Sequence, residues 1–197
     1  MGRENKSKYA LLSILSLRPM SGYDIRKTIA ASLSNFWNES YGQIYPILRT
    51  LVAEGLATVT VEAQHGKPDR HIYALTEAGL TELRHWLSKP VEYEVGRNEL
   101  LLKLFCGRQA PIPDNLRNVG AFRALQEQLL ANYATIAQSL QETHRDNPGL
   151  PYWLMTIRYG QHISHAIIAW CDETLAALAD LDRMPAPMGA TASIDRE

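Results

Sequence analysis

The chain has 197 residues, 46% of them hydrophobic and 21% charged, a composition that suits a soluble globular protein of one large domain or a small domain with an extension. No apolar run approaches membrane-spanning length, no secretory signal precedes Tyr9, and Cys106 and Cys171 stand far apart, so a cytoplasmic protein with two buried thiols is expected rather than a disulfide scaffold. The net charge of −1 lacks the strong basic footprint of many nucleic-acid binders, although the first 75 residues hold nine Lys/Arg against six Asp/Glu, leaving +3 there and −4 in the remainder.

Ser7–Leu17 reads as a first helix with an apolar stripe of Ala10, Leu11, Ile14, Leu15 and Leu17, broken by Arg18-Pro19-Met20. Ser21 is placed to cap a second helix, Gly22–Leu33. Ser34–Glu39 is a polar turn holding Phe36 and Trp37, and Ser40 is an N-cap candidate for a third helix, Tyr41–Gly55. In that helix Ile44, Ile47, Leu48, Leu51 and Val52 form one stripe. The opposite face carries Tyr45, Pro46, Arg49, Thr50 and Ala53, with Gln43 at its edge. Pro46 must lie near the start, because a deeper proline costs about 3 kcal/mol. Gly55 supplies the stop.

Leu56–Ala63 alternates Thr58, Thr60 and Glu62 with Ala57, Val59 and Val61, the mark of a half-buried strand. A loop with basic residues, Gln64–Arg70, leads to a second strand, His71–Leu75, and Thr76 caps a fourth helix, Glu77–Ser88, whose Leu80, Leu83, Trp86 and Leu87 are expected to pack back on the domain. Three short helices followed by a basic-tipped hairpin form a winged helix-turn-helix.

Residues 89–97 are a connector, and Asn98–Cys106 is an apolar helix. After a loop at Gly107–Pro113, Asp114 is expected to cap a long helix to about Arg145, with a seam of Phe122, Leu125, Leu129, Tyr133, Ile136 and Leu140. Asp146–Gly149 is a turn, and Pro151 opens a second long helix to about Leu181, striped by Leu154, Ile157, Ile163, Ile167, Trp170, Leu178 and Leu181. Two helices of about thirty residues are about 45 Å long. A hairpin of that length with apolar seams calls for a partner, most simply a second copy. Met184–Glu197 has the composition of a disordered tail. The expected fold is mainly α: a winged helix-turn-helix with a two-stranded β-wing over residues 1–88, and a long antiparallel helical dimerisation domain over residues 98–183.

For DNA contact, Gln43, Tyr45, Arg49 and Thr50 are the first candidates. A side-chain amide pairs with adenine and a guanidinium with guanine, each bidentate contact discriminating by roughly 1–3 kcal/mol. Ser21 and Tyr23 at a helix N-terminus suit phosphate contacts, as do Lys67 and Arg70 in the wing, unless Arg70 pairs with Asp69 or Glu62. Lys6 and Lys8 could reach the flanking backbone. Tyr93, Phe122, Trp153, Tyr159, His162 and Trp170 are candidates for the wall of an effector pocket, against the ordinary alternative that they are core or dimer interface. His162 and His165 lack further ligands at a recognised metal spacing. No phosphate loop, nucleophile elbow or HExxH is present, so neither an enzyme nor a cofactor is expected.

The motifs Ser21-Gly22-Tyr23-Asp24-Ile25, Gln43 through Leu51, Glu54-Gly55-Leu56 and Arg70 through Gly79 together resemble the PadR family of bacterial transcription regulators, over roughly residues 7–88. Asn98 through Leu104, and Tyr152-Trp153 through Ala169-Trp170, are similar to the subgroup with a long helical C-terminal domain of the AphA type. The resemblance implies dimerisation through the C-terminal helices and two winged domains on a pseudo-palindromic operator. It also implies repression relieved by a small aromatic or phenolic compound. The rival expectation from the residues is a dimeric winged-helix scaffold that has lost DNA binding, for which the modest +3 is the support.

Overall fold

A capping box starts the part of the fold that matters most for function. The computed structural model describes residues 6–33, 36–37, 41–63, 69–92 and 96–183, and divides into two compact units, Met1–Glu94 and Val95–Glu197. In the first, α1 (Lys6–Leu15) is followed by a two-residue strand β1 (Met20–Ser21) and α2 (Gly22–Ser32). Ser21 Oγ accepts from Asp24 N at 3.2 Å while Ser21 N donates to Asp24 Oδ2 at 3.2 Å, so each residue satisfies a backbone group at the helix start. Helix α3 (Tyr41–Ala53) comes next. Pro46 is its sixth residue, so the helix forgoes one bond to the carbonyl of Gly42, an exposed residue whose carbonyl water can serve.

The end of α3 is a Schellman motif. Gly55 takes φ +72°, its N–H bonds Val52 O at 3.1 Å, and Leu56 N bonds Leu51 O at 2.8 Å. Strands β2 (Ala57–Glu62) and β3 (Arg70–Leu75) follow, then α4 (Glu77–Leu87), capped by Thr76 as expected through Gly79 N at 3.0 Å. Thr76 also ties α4 to the end of α3, its N–H to Leu56 O at 3.1 Å and its hydroxyl to Gly55 O at 2.8 Å.

Among the described residues the sheet has three antiparallel strands in the order β1-β3-β2, not two, with Ser21 opposite Ile72 and Glu62 opposite Arg70. The extra strand is too short to show any alternation. On β2 only Ala57 is buried, whereas Val59 and Val61 are 38% and 58% exposed. Both valines lie on the core face, but β2 is an edge strand and only its first rung reaches over the core. That core is Leu11, Leu12, Leu15, Met20, Ile25, Ile29, Ile44, Leu48, Leu51 and Leu83 with their neighbours. Trp86 stacks on Tyr9 at 4.6 Å, but Leu87 is exposed rather than packed back.

In the second unit, Asn98 caps α5 (Glu99–Phe105) through Leu101 N at 3.1 Å. The expected loop contains a 3₁₀ turn at Gly107–Gln109. Helix α6 (Ile112–Thr143) begins two residues before Asp114, because Pro113 in the first turn has no N–H that would need an intrahelical partner. Helix α7 (Leu150–Arg183) returns antiparallel.

The seam between α6 and α7 is not the expected apolar stripe. The residues buried in mid-hairpin recur every seven: Val119, Gln126 and Tyr133 on α6, and Ile157, Ser164 and Cys171 on α7. Ser164 Oγ donates to Gln126 Oε1 at 3.1 Å, and the Tyr133 ring lies so close to Gly160 that a Cβ there would sit 2.4 Å from it. Of the expected seam on α6 only Tyr133 is buried, and Leu125 is 48% exposed. On α7, Ile163 and Leu181 are exposed too. The absence of a side chain at Gly160 makes room for the Tyr133 ring, and the Ser164–Gln126 hydrogen bond lets polar residues occupy the contact in place of an apolar stripe. Ser164→Ala should cost about 1–3 kcal/mol by orphaning the buried Gln126 amide, and adding Gln126→Leu should recover much of it. Denaturant unfolding of both variants measures the difference.

Candidate nucleic-acid interface

Helix α3 is held by Ile44, Ile47, Leu48 and Leu51, all at most 5% exposed, and this fixes what its other side offers. Gln43, Tyr45, Arg49 and Thr50 are all exposed. The Thr50 hydroxyl donates to Pro46 O at 3.2 Å, leaving its lone pairs outward. The Tyr45 ring lies against the first residue of α2: a Cβ on Gly22 would come within 2.5 Å of its Cε1. Tyr23, on the same first turn of α2, is 64% exposed.

One core residue, absent from the sequence-based candidates, lies within electrostatic reach of this group. Tyr73 of β3 is 8% exposed, and its phenol is pushed up by burial and by Tyr45, with Arg49 acting in the opposite sense. Its signal in the sequence was that of a core aromatic on a strand. Exposed Arg26 and Lys27 on α2 also went unselected.

Two candidates are engaged elsewhere. Ser21 is only 6% exposed, and its hydroxyl donates to Asp24 Oδ2 at 2.8 Å besides capping α2, so it has no hydroxyl to offer a phosphate. Arg70 pairs through Nη2 with Asp24 Oδ2, not with Asp69 or Glu62. Lys67 lies outside the described residues. Lys8 bridges Glu54 at 2.9 Å and Glu82 at 3.5 Å, and Lys6 pairs with Glu92 at 3.3 Å, so both are drawn to acidic neighbours.

The Asp24 carboxyl is held below its ordinary range, first by the hydrogen bond from the Ser21 hydroxyl and then by the Ser21 amide and Arg70. A depressed carboxylate contributes stability that is full above its unfolded pKa of about 3.9 and is lost as pH falls through the folded value. Asp24→Asn should therefore cost about 1 kcal/mol at pH 7, a capping-scale loss, with the gap to the parent closing below about pH 4. Thermal unfolding across pH 3–7 follows that convergence.

Among the described residues the aromatic candidates of the second unit do not form one wall within the chain. Phe122 is half-buried and lines a cavity of about 520 Å³ between α5 and α6, with Arg97, Leu100, Lys103, Asn118 and Leu125. Trp153 sits at the other end of the hairpin, edge-on to His144 at 5.6 Å. Trp170, half-buried, is 17 residues from it along α7, about 26 Å at helical rise. Tyr159 and His162 are exposed, and Tyr93 lies outside the described residues. Cys171 is buried and its thiol is pushed up by burial and by Asp172, whereas Cys106 is exposed, contrary to expectation. Among the described residues no helix is long and apolar enough to cross a membrane.

Comparison with known proteins bears on this arrangement directly. Residues 11–85 match the model of the transcriptional regulator PadR-like family, and residues 96–179 match that of the virulence activator alpha C-terminal region. The chain belongs to the PadR family. A curated PadR relative, the negative transcriptional regulator PadR of Bacillus subtilis, is 27% identical over 87% of this chain and 96% of its own. Its structure in complex with operator DNA superposes with a TM-score of 0.77 at 24% identity, covering 88% of this chain and 99% of that one. Its complex with p-coumaric acid gives a TM-score of 0.70 at 22% identity, covering 87% and 98%. The smu.1604c protein of Streptococcus mutans is 30% identical with a TM-score of 0.74, covering 86% and 98%. The virulence activator AphA of Vibrio cholerae is 26% identical with a TM-score of 0.70, covering 88% and 98%. The winged helix with a long helical C-terminal region is thus the PadR architecture with the AphA type of second half, in a family of transcriptional regulators rather than enzymes.

Proposed function

We propose that this PadR-family regulator is a homodimeric repressor that binds a pseudo-palindromic operator and is released by a small aromatic or phenolic effector. The observation that carries the DNA-binding part is α3 itself. One side is buried in the core, and the other presents Gln43, Arg49 and Thr50 beside Tyr45, which is braced on α2. In this reading Arg49 and Gln43 address base edges in the major groove, Thr50 and Tyr45 the groove wall, and Tyr23 with Lys67 the phosphates. Residues 1–88 are the DNA-binding domain, 89–97 a connector and 98–183 the dimerisation domain.

Dimerisation is supported by the apolar side chains that α5 and α7 leave exposed in one chain, among them Leu101, Leu102, Phe105, Tyr152, Met155 and Tyr159. A second copy covering them would hold two α3 helices about one DNA turn, roughly 34 Å, apart. Release by an effector is supported by the p-coumaric acid complex of the B. subtilis relative. Here the cavity at Phe122 offers an apolar wall of Leu100, Phe122 and Leu125 and the cationic Arg97, suited to an aromatic acid, while Lys103 beside it is bridged to Glu99 at 2.7 Å. Binding would shift the population between two dimer shapes of different DNA affinity. In a mobility-shift assay with DNA from upstream of its own gene, the protein should retard the fragment as a dimer, and p-coumaric acid should reverse the shift. Retardation unaffected by any phenolic acid would remove the effector part alone.

A further inference from the structure

We infer that Asp24 and Arg70 are a positioning pair that fixes the base of the wing to the start of α2, and that Arg70 serves DNA binding through this pair rather than by touching DNA. The inference rests on the DNA-binding reading above. Three observations converge on it. Arg70 is the first residue of β3, at the end of the hairpin nearest the loop of the wing, and lies opposite Glu62 on β2. It nevertheless turns to Asp24 on a different element, 46 residues away, through Nη2 and Oδ2. Asp24 is in turn fixed by the Ser21 amide and hydroxyl, at 3.2 and 2.8 Å, so the acceptor is held before the guanidinium arrives.

The register completes the arrangement. Ser21 pairs with Ile72 through β1 and β3, two residues along β3 from Arg70. Backbone pairing and the ion pair therefore join the same strand to the same helix start at two adjacent points. Between them they determine how the hairpin stands relative to Tyr23 and to Tyr45 on Gly22. The Asp24 side chain is 23% exposed and that of Arg70 41%, so the pair is partly shielded yet stands at the surface that the interface occupies. A guanidinium already neutralised by a carboxylate is a poor phosphate ligand, because phosphate would have to displace a partner of the same charge.

The sign of one substitution separates positioning from contact. Asp24→Asn and Arg70→Gln are made singly and together in the full-length protein, with Arg70→Lys as the conservative variant. Operator affinity is measured by fluorescence anisotropy from 50 to 200 mM salt, and thermal midpoints are recorded alongside. Positioning predicts that each single variant weakens binding by about tenfold and that the double variant is little worse than either. It also predicts that Arg70→Lys recovers part of the loss and that the salt slope is unchanged. Direct contact predicts that Asp24→Asn tightens binding by freeing the guanidinium, and that Arg70→Gln lowers the salt slope by about one per subunit; this would overturn the inference. Lowered thermal midpoints with unchanged affinity would also overturn it, by leaving the pair a role in stability alone. If the parent protein itself fails to bind, the functional reading falls first, an outcome distinct from equal binding by parent and variants.

Discussion

Arg49→Ala should weaken operator binding by about 30- to 10⁴-fold with no change in thermal stability. The range follows from about 1–3 kcal/mol per bidentate guanidinium–base contact, counted once for each half-site of a dimer, at 1.4 kcal/mol per tenfold. Stability should hold because Arg49 is exposed while Leu48 beside it is fully buried, so the substitution empties no core volume. Thr50→Ala, which removes one hydroxyl already bonded to Pro46 O, should have a smaller effect. Isothermal titration with operator duplex and a scrambled duplex tests both variants. Loss confined to the operator identifies a base contact, whereas equal loss on both duplexes identifies a phosphate contact.

Gly79→Ala should lower the stability of the first unit by about 3 kcal/mol or more. Overpacking costs about 1–3 kcal/mol where neighbours can yield, and more where they cannot. Here a Cβ would stand 2.1 Å from the Leu56 carbonyl oxygen and 2.8 Å from Leu75 Cδ1. The Leu56 carbonyl cannot swing aside. It accepts from Thr76 N, and the Leu56 amide is the last bond of the Schellman turn that ends α3. α4 would have to lift from α3, breaking the Thr76 bonds as it does so. For a domain of this size the loss amounts to about 10–20 °C in the unfolding midpoint. Gly120→Ala is the control: a Cβ at Gly120 on α6 meets nothing within 4 Å, so the change should be neutral or mildly stabilising. Calorimetry of the two variants gives the comparison.

The first half of the chain was legible because its signals agree across levels. Ser21 followed by Asp24 three residues later, Thr76 before Glu77, and Gly55 after the last buried residue of α3 each mark a terminus by its own chemistry. The structure bears out the winged helix, the long C-terminal helices and the PadR likeness. What escaped detection did so for identifiable reasons. Alternation shows which face of β2 Val59 and Val61 share, but not how far the core extends beneath an edge strand. Gln126, Ser164 and Gly160 at the helix contact are invisible to a search for apolar spacing, because two are polar and held by a mutual hydrogen bond and the third has no side chain. The partnership of Arg70 with Asp24, 46 residues away, depends on the register of β1 with β3, which a two-residue strand does not announce. The aromatics of α7 share one helix, but a shared helix does not bring Trp153 and Trp170 together across about 26 Å.

The central claim is that the exposed side of α3 reads DNA. Its most direct test is fluorescence anisotropy of the full-length protein and Arg49→Ala with labelled duplex from its own promoter, at 50, 100 and 200 mM salt. Salt-sensitive binding by the parent, with the variant weakened by at least 30-fold, is the predicted result. Equal affinity of parent and variant, or no salt-dependent binding by either, would contradict it.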